Sequence, residues 1–241
     1  MTRRAILGII GLQIFIAHPA AAQDSDWIAS LSLRASYTSS SKLFLNPNAL
    51  SSELRAQHDV LKDVLGAGLE IRFKGRESDF FLALTADALT SERQSTQLTA
   101  NTTPPQILPY EDGFLIVPVE LSANVYVPLG SEKVRLSMGG GAGAYYAERL
   151  LKLGDTRAPS TTFSVGYGIH VRSNFEYRLF SGTFLFFEMR FRDPEVEVIN
   201  RFPEEGVNYR GVRYPQSAHD IKSKINVDGI GFVLGVTIEI L

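Results

Sequence analysis

The chain reads as all-β, an eight-stranded antiparallel up-and-down barrel that crosses a membrane. Three observations predict this. Segments of alternating apolar and polar residues recur eight times along the sequence. The connections between them alternate short, long, short, long. No later stretch approaches the roughly 18 apolar residues a membrane helix needs, so any crossing has to be made by a closed sheet with no unpaired edge in lipid.

The first 22 residues read as an export leader. Met1-Thr2-Arg3-Arg4 is positively charged, an apolar run extends from Ala5 to Ala17, and Ala20-Ala21-Ala22 supplies small residues for cleavage before Gln23. Residues 23–241 are then one barrel domain. Without Arg3 and Arg4, 22 basic residues face 26 acidic ones, a net charge of −4. That balance gives no electrostatic reason for a nucleic-acid partner. Cys is absent, so stability rests on the hydrogen-bonded sheet and not on disulfides. A mean hydropathy of +0.01 suits strands that give only every second residue to lipid.

The first strand covers about 27–38, with Trp27, Leu31, Leu33 and Tyr37 facing away from Ser30, Ser32, Arg34 and Ser36. The second, about 64–74, opposes Leu65, Leu69, Ile71 and Phe73 to Glu70 and Arg72, and a tight turn at 75–78 follows. The third, about 79–89, opposes Phe80, Leu82 and Leu84 to Phe81, Thr85 and Asp87. The fourth, about 114–127, sets Val117, Val119, Leu121 and Val125 against Glu120, Ser122 and Asn124. Pro118 lacks a ladder N–H and predicts a bulge or strand end.

The fifth strand, about 133–147, opposes Leu136, Met138, Ala142 and Ala144 to Arg135, Ser137, Gly139, Gly141 and Gly143. The sixth, about 162–177, opposes Val165, Tyr167, Ile169 and Val171 to His170, Arg172 and Asn174. The seventh, about 183–192, is the cleanest: Leu185, Phe187, Met189 and Phe191 share one face, and Glu188, Arg190 and Arg192 the other. The eighth begins near 227 and puts Phe232, Leu234, Val236 and Ile238 opposite Gly231, Gly235 and Thr237. Long loops are predicted at 39–63, 90–113, 148–161 and 196–226, with a short helix inside 49–62. Short periplasmic turns, long extracellular loops and an even strand count follow.

Alternation alone does not say which face is oily; a soluble lipocalin-like periplasmic barrel would show the same period. Three features favour an oily exterior. The polar face is rich in Gly, which makes room for long side chains in a narrow lumen. It also carries charges of both signs, predicting a lumen network of Arg34, Glu70, Arg72, Glu120, Arg135, His170, Arg172, Glu188, Arg190 and Arg192. Aromatic residues near strand ends (Trp27, Tyr37, Phe73, Phe80, Phe114, Tyr145, Tyr146, Phe163, Tyr177, Phe184) predict interfacial girdles.

With its strands so placed, and with Val117-Pro118-Val119-Glu120-Leu121-Ser122-Ala123-Asn124-Val125-Tyr126 leading to a Gly turn, the chain resembles the small outer-membrane barrels of the OmpA/OmpX/OmpW type. The resemblance implies residence in a bacterial outer membrane, contact with its lipid and lipopolysaccharide, insertion by the barrel-assembly machinery, and loops at the cell surface. The chain departs from such barrels at its end, Ile238-Glu239-Ile240-Leu241, where they finish with an aromatic residue.

The search for chemistry yields no catalytic or metal-ligating set, and no cofactor is expected. Ile169-His170-Val171-Arg172-Ser173-Asn174 faintly resembles the His-x-Ser-Asn of outer-membrane lipid A deacylases, but Ser173 lies three residues from His170 and so on the other strand face. Gly139-Gly140-Gly141-Ala142-Gly143 lacks the Lys-Ser/Thr of a phosphate loop. In the last loop Arg201, Tyr209, Arg210, Arg213 and Tyr214 are side chains suited to surface contacts. The expected function is therefore non-enzymatic: envelope integrity, contact with an extracellular partner, or passage of a small solute. A lipid-modifying enzyme and a soluble ligand-binding barrel are the alternatives.

Overall fold

The computed structural model describes residues 26–99, 105–131, 133–216 and 219–240. The leader lies outside the described residues. Eight strands form the ring: β1 (Trp27–Phe44), β2 (His58–Gly75), β3 (Phe80–Thr99), β4 (Gln106–Val127), β5 (Val134–Leu153), β7 (Ser164–Phe180), β8 (Thr183–Arg192) and β13 (Ile230–Glu239). All neighbours are antiparallel, and β13 pairs with β1 from Ser30↔Glu239 to Thr38↔Gly231 to close the cylinder. Shorter pieces complete the far end: α1 (Ser52–Ala56), β6 (Thr156–Ala158), β9 (Glu195–Asn200), β10 (Val207–Tyr209), β11 (Val212–Tyr214) and β12 (Ile221–Asn226).

In the half of the cylinder nearest the short turns, the alternation points its apolar side chains outward. Leu31, Leu33, Leu69, Ile71, Leu84, Leu121, Ile169, Phe187 and Leu234 are exposed, Leu33 at 67%. Between them Arg34, Glu70, Glu120, Arg172, Glu188 and Arg190 are buried. A soluble barrel has the opposite sense, so the lipocalin-like alternative fails on geometry. The inward set also corrects three girdle assignments: Phe114, Tyr145 and Phe184 are buried inside the cylinder.

The long loops are a larger correction. Much of 39–63 and of 196–226, and most of 90–113 and 148–161, is strand: β1 and β2 stay paired up to Phe44↔His58, β3 and β4 to Thr99↔Gln106, β4 and β5 to Tyr110↔Leu153, and β9 with β12 from Glu195↔Asn226 to Asn200↔Ile221. The expected helix reduces to Ser52–Ala56. Pro118 causes neither bulge nor strand end. The β3–β4 ladder skips the positions beside it and resumes unshifted at Leu89↔Ile116.

This upper half inverts the polarity of the lower. Leu43, Leu61, Val64, Leu89, Phe114, Ile116, Tyr145, Val196, Val198, Ile225 and Val227 pack into a buried apolar core. The outer face carries ion pairs such as Arg93–Asp59 at 2.7 Å, Lys152–Glu111 at 2.8 Å and Arg157–Glu148 at 3.0 Å. On β1 and β2 the switch is a phase slip: Thr38 and Ser41 are both buried, as are Val64 and Leu61, and the ladder omits Ser39 and Asp63. Asp63 has φ +56°, a left-handed conformation that Asp tolerates better than most residues. On β3, β4 and β5 the phase holds and only residue type changes, as where Thr85 and Asp87 give way to Leu89 on the inner face.

The glycines do more than leave room. A methyl at Gly141 would strike the Leu121 carbonyl oxygen, and one at Gly235 would meet the Leu33 carbonyl and the Phe186 ring. Gly141→Ala is therefore expected to lower the yield of folded barrel, read as loss of heat-dependent gel mobility. Leu33→Arg is expected to cost about 2–4 kcal/mol of folding free energy near the bilayer midplane. Gln94→Arg, on the exposed upper face, should cost close to nothing. Urea titration into lipid vesicles, followed through the single tryptophan Trp27, checks both.

Candidate functional site

The interior of the lower barrel is a lattice of charge. Arg34 reaches from β1 to Glu70 on β2 at 2.8 Å, Asp87 on β3 at 3.3 Å and Glu188 on β8 at 3.0 Å. From β7, Arg172 meets Glu70 at 2.5 Å and Glu188 at 2.8 Å. Arg190 contacts Glu188 at 2.7 Å and pairs with Glu120 on β4. Arg72 joins Glu70 at 2.5 Å and Glu176, and Arg192 lies 3.5 Å from Asp87 and 3.7 Å from Glu120. Five guanidinium groups thus face five carboxylates, a balance that lets charge sit in a low-dielectric interior.

Thr85 Oγ1 donates to Glu70 and Tyr145 Oη to Glu120, at 3.0 and 2.6 Å. The Arg72 guanidinium lies 5.5 Å from the centroids of both Phe81 and Phe186, an aromatic floor toward the short turns. Above the lattice the apolar core of the upper barrel fills the bore. Further up, Arg149 donates to Asp112 at 2.8 and 2.6 Å, and Tyr110 Oη donates to the same carboxylate at 2.7 Å. Burial, and then the Asp112 charge beside it, push the Tyr110 hydroxyl above its ordinary range. A second apolar cluster of Leu108, Leu151, Leu153, Ala158, Phe202 and Val207 closes the top.

Of the ten residues predicted to share the lumen, the structure brings nine close together. His170 lies 3.9 Å from Glu120, its ring nitrogens without a hydrogen bond. Arg135 stands apart at the short-turn rim, 3.0 Å from Glu239 and stacked 4.1 Å over the Phe184 ring. Sequence reasoning missed Asp87 as a member and Tyr145 as a donor. Asp87 lies in register with the other inward charges, so the period carried a signal for it; Glu176, on the same inward phase of its strand, joins Arg72 as a buried charge of the lumen. Tyr145 was masked by its girdle-like position.

No catalytic arrangement emerges from the other candidates. His170 faces the lumen, while Ser173 lies on the lipid-facing side between Met138 and Met189 in the pairing register. Among the described residues no three His, Asp or Glu side chains are placed to hold a metal ion. The surface-loop candidates find their partners within the same loop. Arg201 bonds Asp220 at 2.6 Å and Arg213 bonds Glu204 at 3.0 Å. Arg210 stacks 5.1 Å over Tyr209, and Tyr209 and Tyr214 pack on the upper apolar cluster from the β10–β11 hairpin.

An apolar outer band around a charge-filled closed ring defines the class: an outer-membrane-type β-barrel of the small, eight-stranded kind. No protein-family model matches the chain, and no curated protein is significantly similar in sequence. Among solved structures, Neisserial surface protein A is similar at 14% identity and TM-score 0.42, over 88% of this chain and 97% of that one. Ail, the attachment invasion locus protein of Yersinia pestis, gives 10% identity and TM-score 0.41, over 90% and 100%. An outer membrane channel from Pseudomonas putida F1 gives 9% and 0.25, over 90% and 97%.

Arg190→Ala removes the guanidinium nearest Glu120 and one of the three that meet Glu188, leaving five interior carboxylates to four guanidinium groups, and is expected to cost about 3–5 kcal/mol. Arg135→Ala, at a part-exposed rim pair, should cost no more than about 1 kcal/mol. Denaturant unfolding in micelles checks the contrast; equal effects would show that the interior lattice is no more demanding than the rim.

Proposed function

We propose that this chain is a non-enzymatic barrel of the bacterial outer membrane, exported with residues 1–22 removed and inserted as 23–241. Its role is in envelope integrity and surface contact. The single observation that carries the location is the inside-out polarity of the lower ring, apolar without and ionised within, which only hydrocarbon on the outside stabilises. The side of the membrane follows from loop asymmetry: tight turns at one rim, and tall paired strands at the other.

The contents of the bore argue against bulk transport. An eight-stranded interior can be filled by side chains, and here the lattice and two apolar clusters fill it at successive heights. The tall upper barrel then acts as a rigid mast that presents the first loop and the β10–β11 hairpin beyond the membrane. Lipopolysaccharide and the assembly machinery are its proposed partners within the envelope.

The test has three parts. Detergent-solubilised protein should show heat-dependent gel mobility and should fractionate with outer membranes. In planar bilayers it should give no resolved conductance steps. Release by osmotic shock without detergent would overturn the location, and a wide stable conductance would overturn the closed bore.

A further inference from the structure

The wall of the barrel is not hydrogen-bonded all the way up. β7 and β8 are paired as far as His170↔Arg192, and the wall closes again higher at the Ser160↔Asn200 bridge, with Thr161 N–H donating to the Ile199 carbonyl at 2.8 Å. Above one further bond, from Asp193 N–H to the Ile169 carbonyl at 3.2 Å, no ladder among the described residues joins β7 to β9. The cause lies in the sequence: Pro194 offers no N–H where the pairing would continue. Gly166 and Gly168 let the backbone of 193–195 cross close beside them, where a methyl would meet the Glu195 carbonyl or Pro194.

This seam opens a groove of about 460 Å³ on the outer wall above the apolar band. Its floor is β9 and its sides are the top of β7, β12 and the first loop at Asn48. Its charges nearly cancel. Glu195 is taken up by Lys224 at 2.9 Å, which leaves Glu197 and Lys222, one of each sign, with no ion pair among the described residues. Asn48 and Thr162 add an amide and a hydroxyl. Beside them Phe163 is 81% exposed, its ring held 4.9 Å from Tyr146 at an interplanar angle of 24°.

From this arrangement we infer that the groove between β7 and β9 is a binding site for a neutral, hydroxyl-rich saccharide. A fixed aromatic ring offers a stacking surface for the C–H face of a sugar. A carboxylate, an amide and an ammonium within one small groove match the paired donor and acceptor character of adjacent hydroxyls. A phosphate or sulfate ligand is disfavoured, because it would meet Glu197 with only Lys222 to offset it. The inference rests on the outer-membrane reading only for which side of the membrane the groove faces.

The experiment probes folded barrel in nanodiscs with an array of immobilised neutral oligosaccharides. A second arm uses vesicles with and without rough lipopolysaccharide, so that free and membrane-borne sugar are distinguished. Retention in either arm is expected, with Phe163→Ala and Glu197→Gln each weakening it at least tenfold. Arg213→Ala on the β10–β11 hairpin should leave it unchanged, as should 0.5 M salt. No retention in both arms, retention indifferent to both groove substitutions, or binding abolished by salt would each overturn the site. Heat-dependent mobility measured on every variant separates this failure from failure of the barrel reading.

Discussion

Arg34, Arg172 and Arg190 reach across the barrel from three strands to carboxylates on four, and everything else in the lower ring is arranged around them. Long ionised side chains come from β1, β2, β3, β4, β7 and β8. The other two strands, β5 and β13, turn Gly139, Gly141, Gly143, Gly231 and Gly235 to the same interior. β2 and β7 supply both, since Gly66 and Gly68 share the inner face with Glu70 and Arg72, and Gly168 shares it with Arg172. Buried ion pairs are weak evidence of net stability, since their desolvation is costly, but they discriminate sharply between registers. A slip of one residue in β8 would move Glu188, Arg190 and Arg192 together into hydrocarbon.

Two barrels of opposite polarity are stacked on one ring. The lower is solvated by lipid outside and by its own ions within; the upper is solvated by water outside and by oil within. One backbone serves both because hydrogen bonding of the ladder is indifferent to which face is apolar. The transition needs only a change of residue type on β3, β4 and β5, and a phase slip at Ser39 and Asp63 on β1 and β2. On the remaining side it takes a break at Pro194 and another between β12 and β13. The broken side is where the wall loses its ladder and gains a groove, so the site proposed there is a by-product of how polarity is reversed.

The eight strands, their faces and their order were legible because each spends alternate residues on two different solvents, and a period of two survives in a single sequence. Nine of the ten predicted lumen residues were legible for the same reason. The upper strands were not. Around Leu43, Leu61, Leu89 and Phe114 the alternation continues with its sense reversed, and a reader expecting oil on the outside sees the pattern end. Arg135 was misplaced because phase gives the face but not the height: it lies on the inward phase, yet at the rim, where Glu239 and Phe184 hold it.

What the sequence determined by itself was the barrel, its outward oil and the identity of its inward charges, because each follows from local periodicity. What only the tertiary structure decided was which arginine meets which carboxylate, that the bore is closed by apolar clusters above the lattice, and that a seam opens between β7 and β9. Those depend on the height at which strands far apart in sequence come level, and on the close approach of backbones at Gly141, Gly166 and Gly168. Neither quantity is encoded in any one segment; both arise only when the ring is closed.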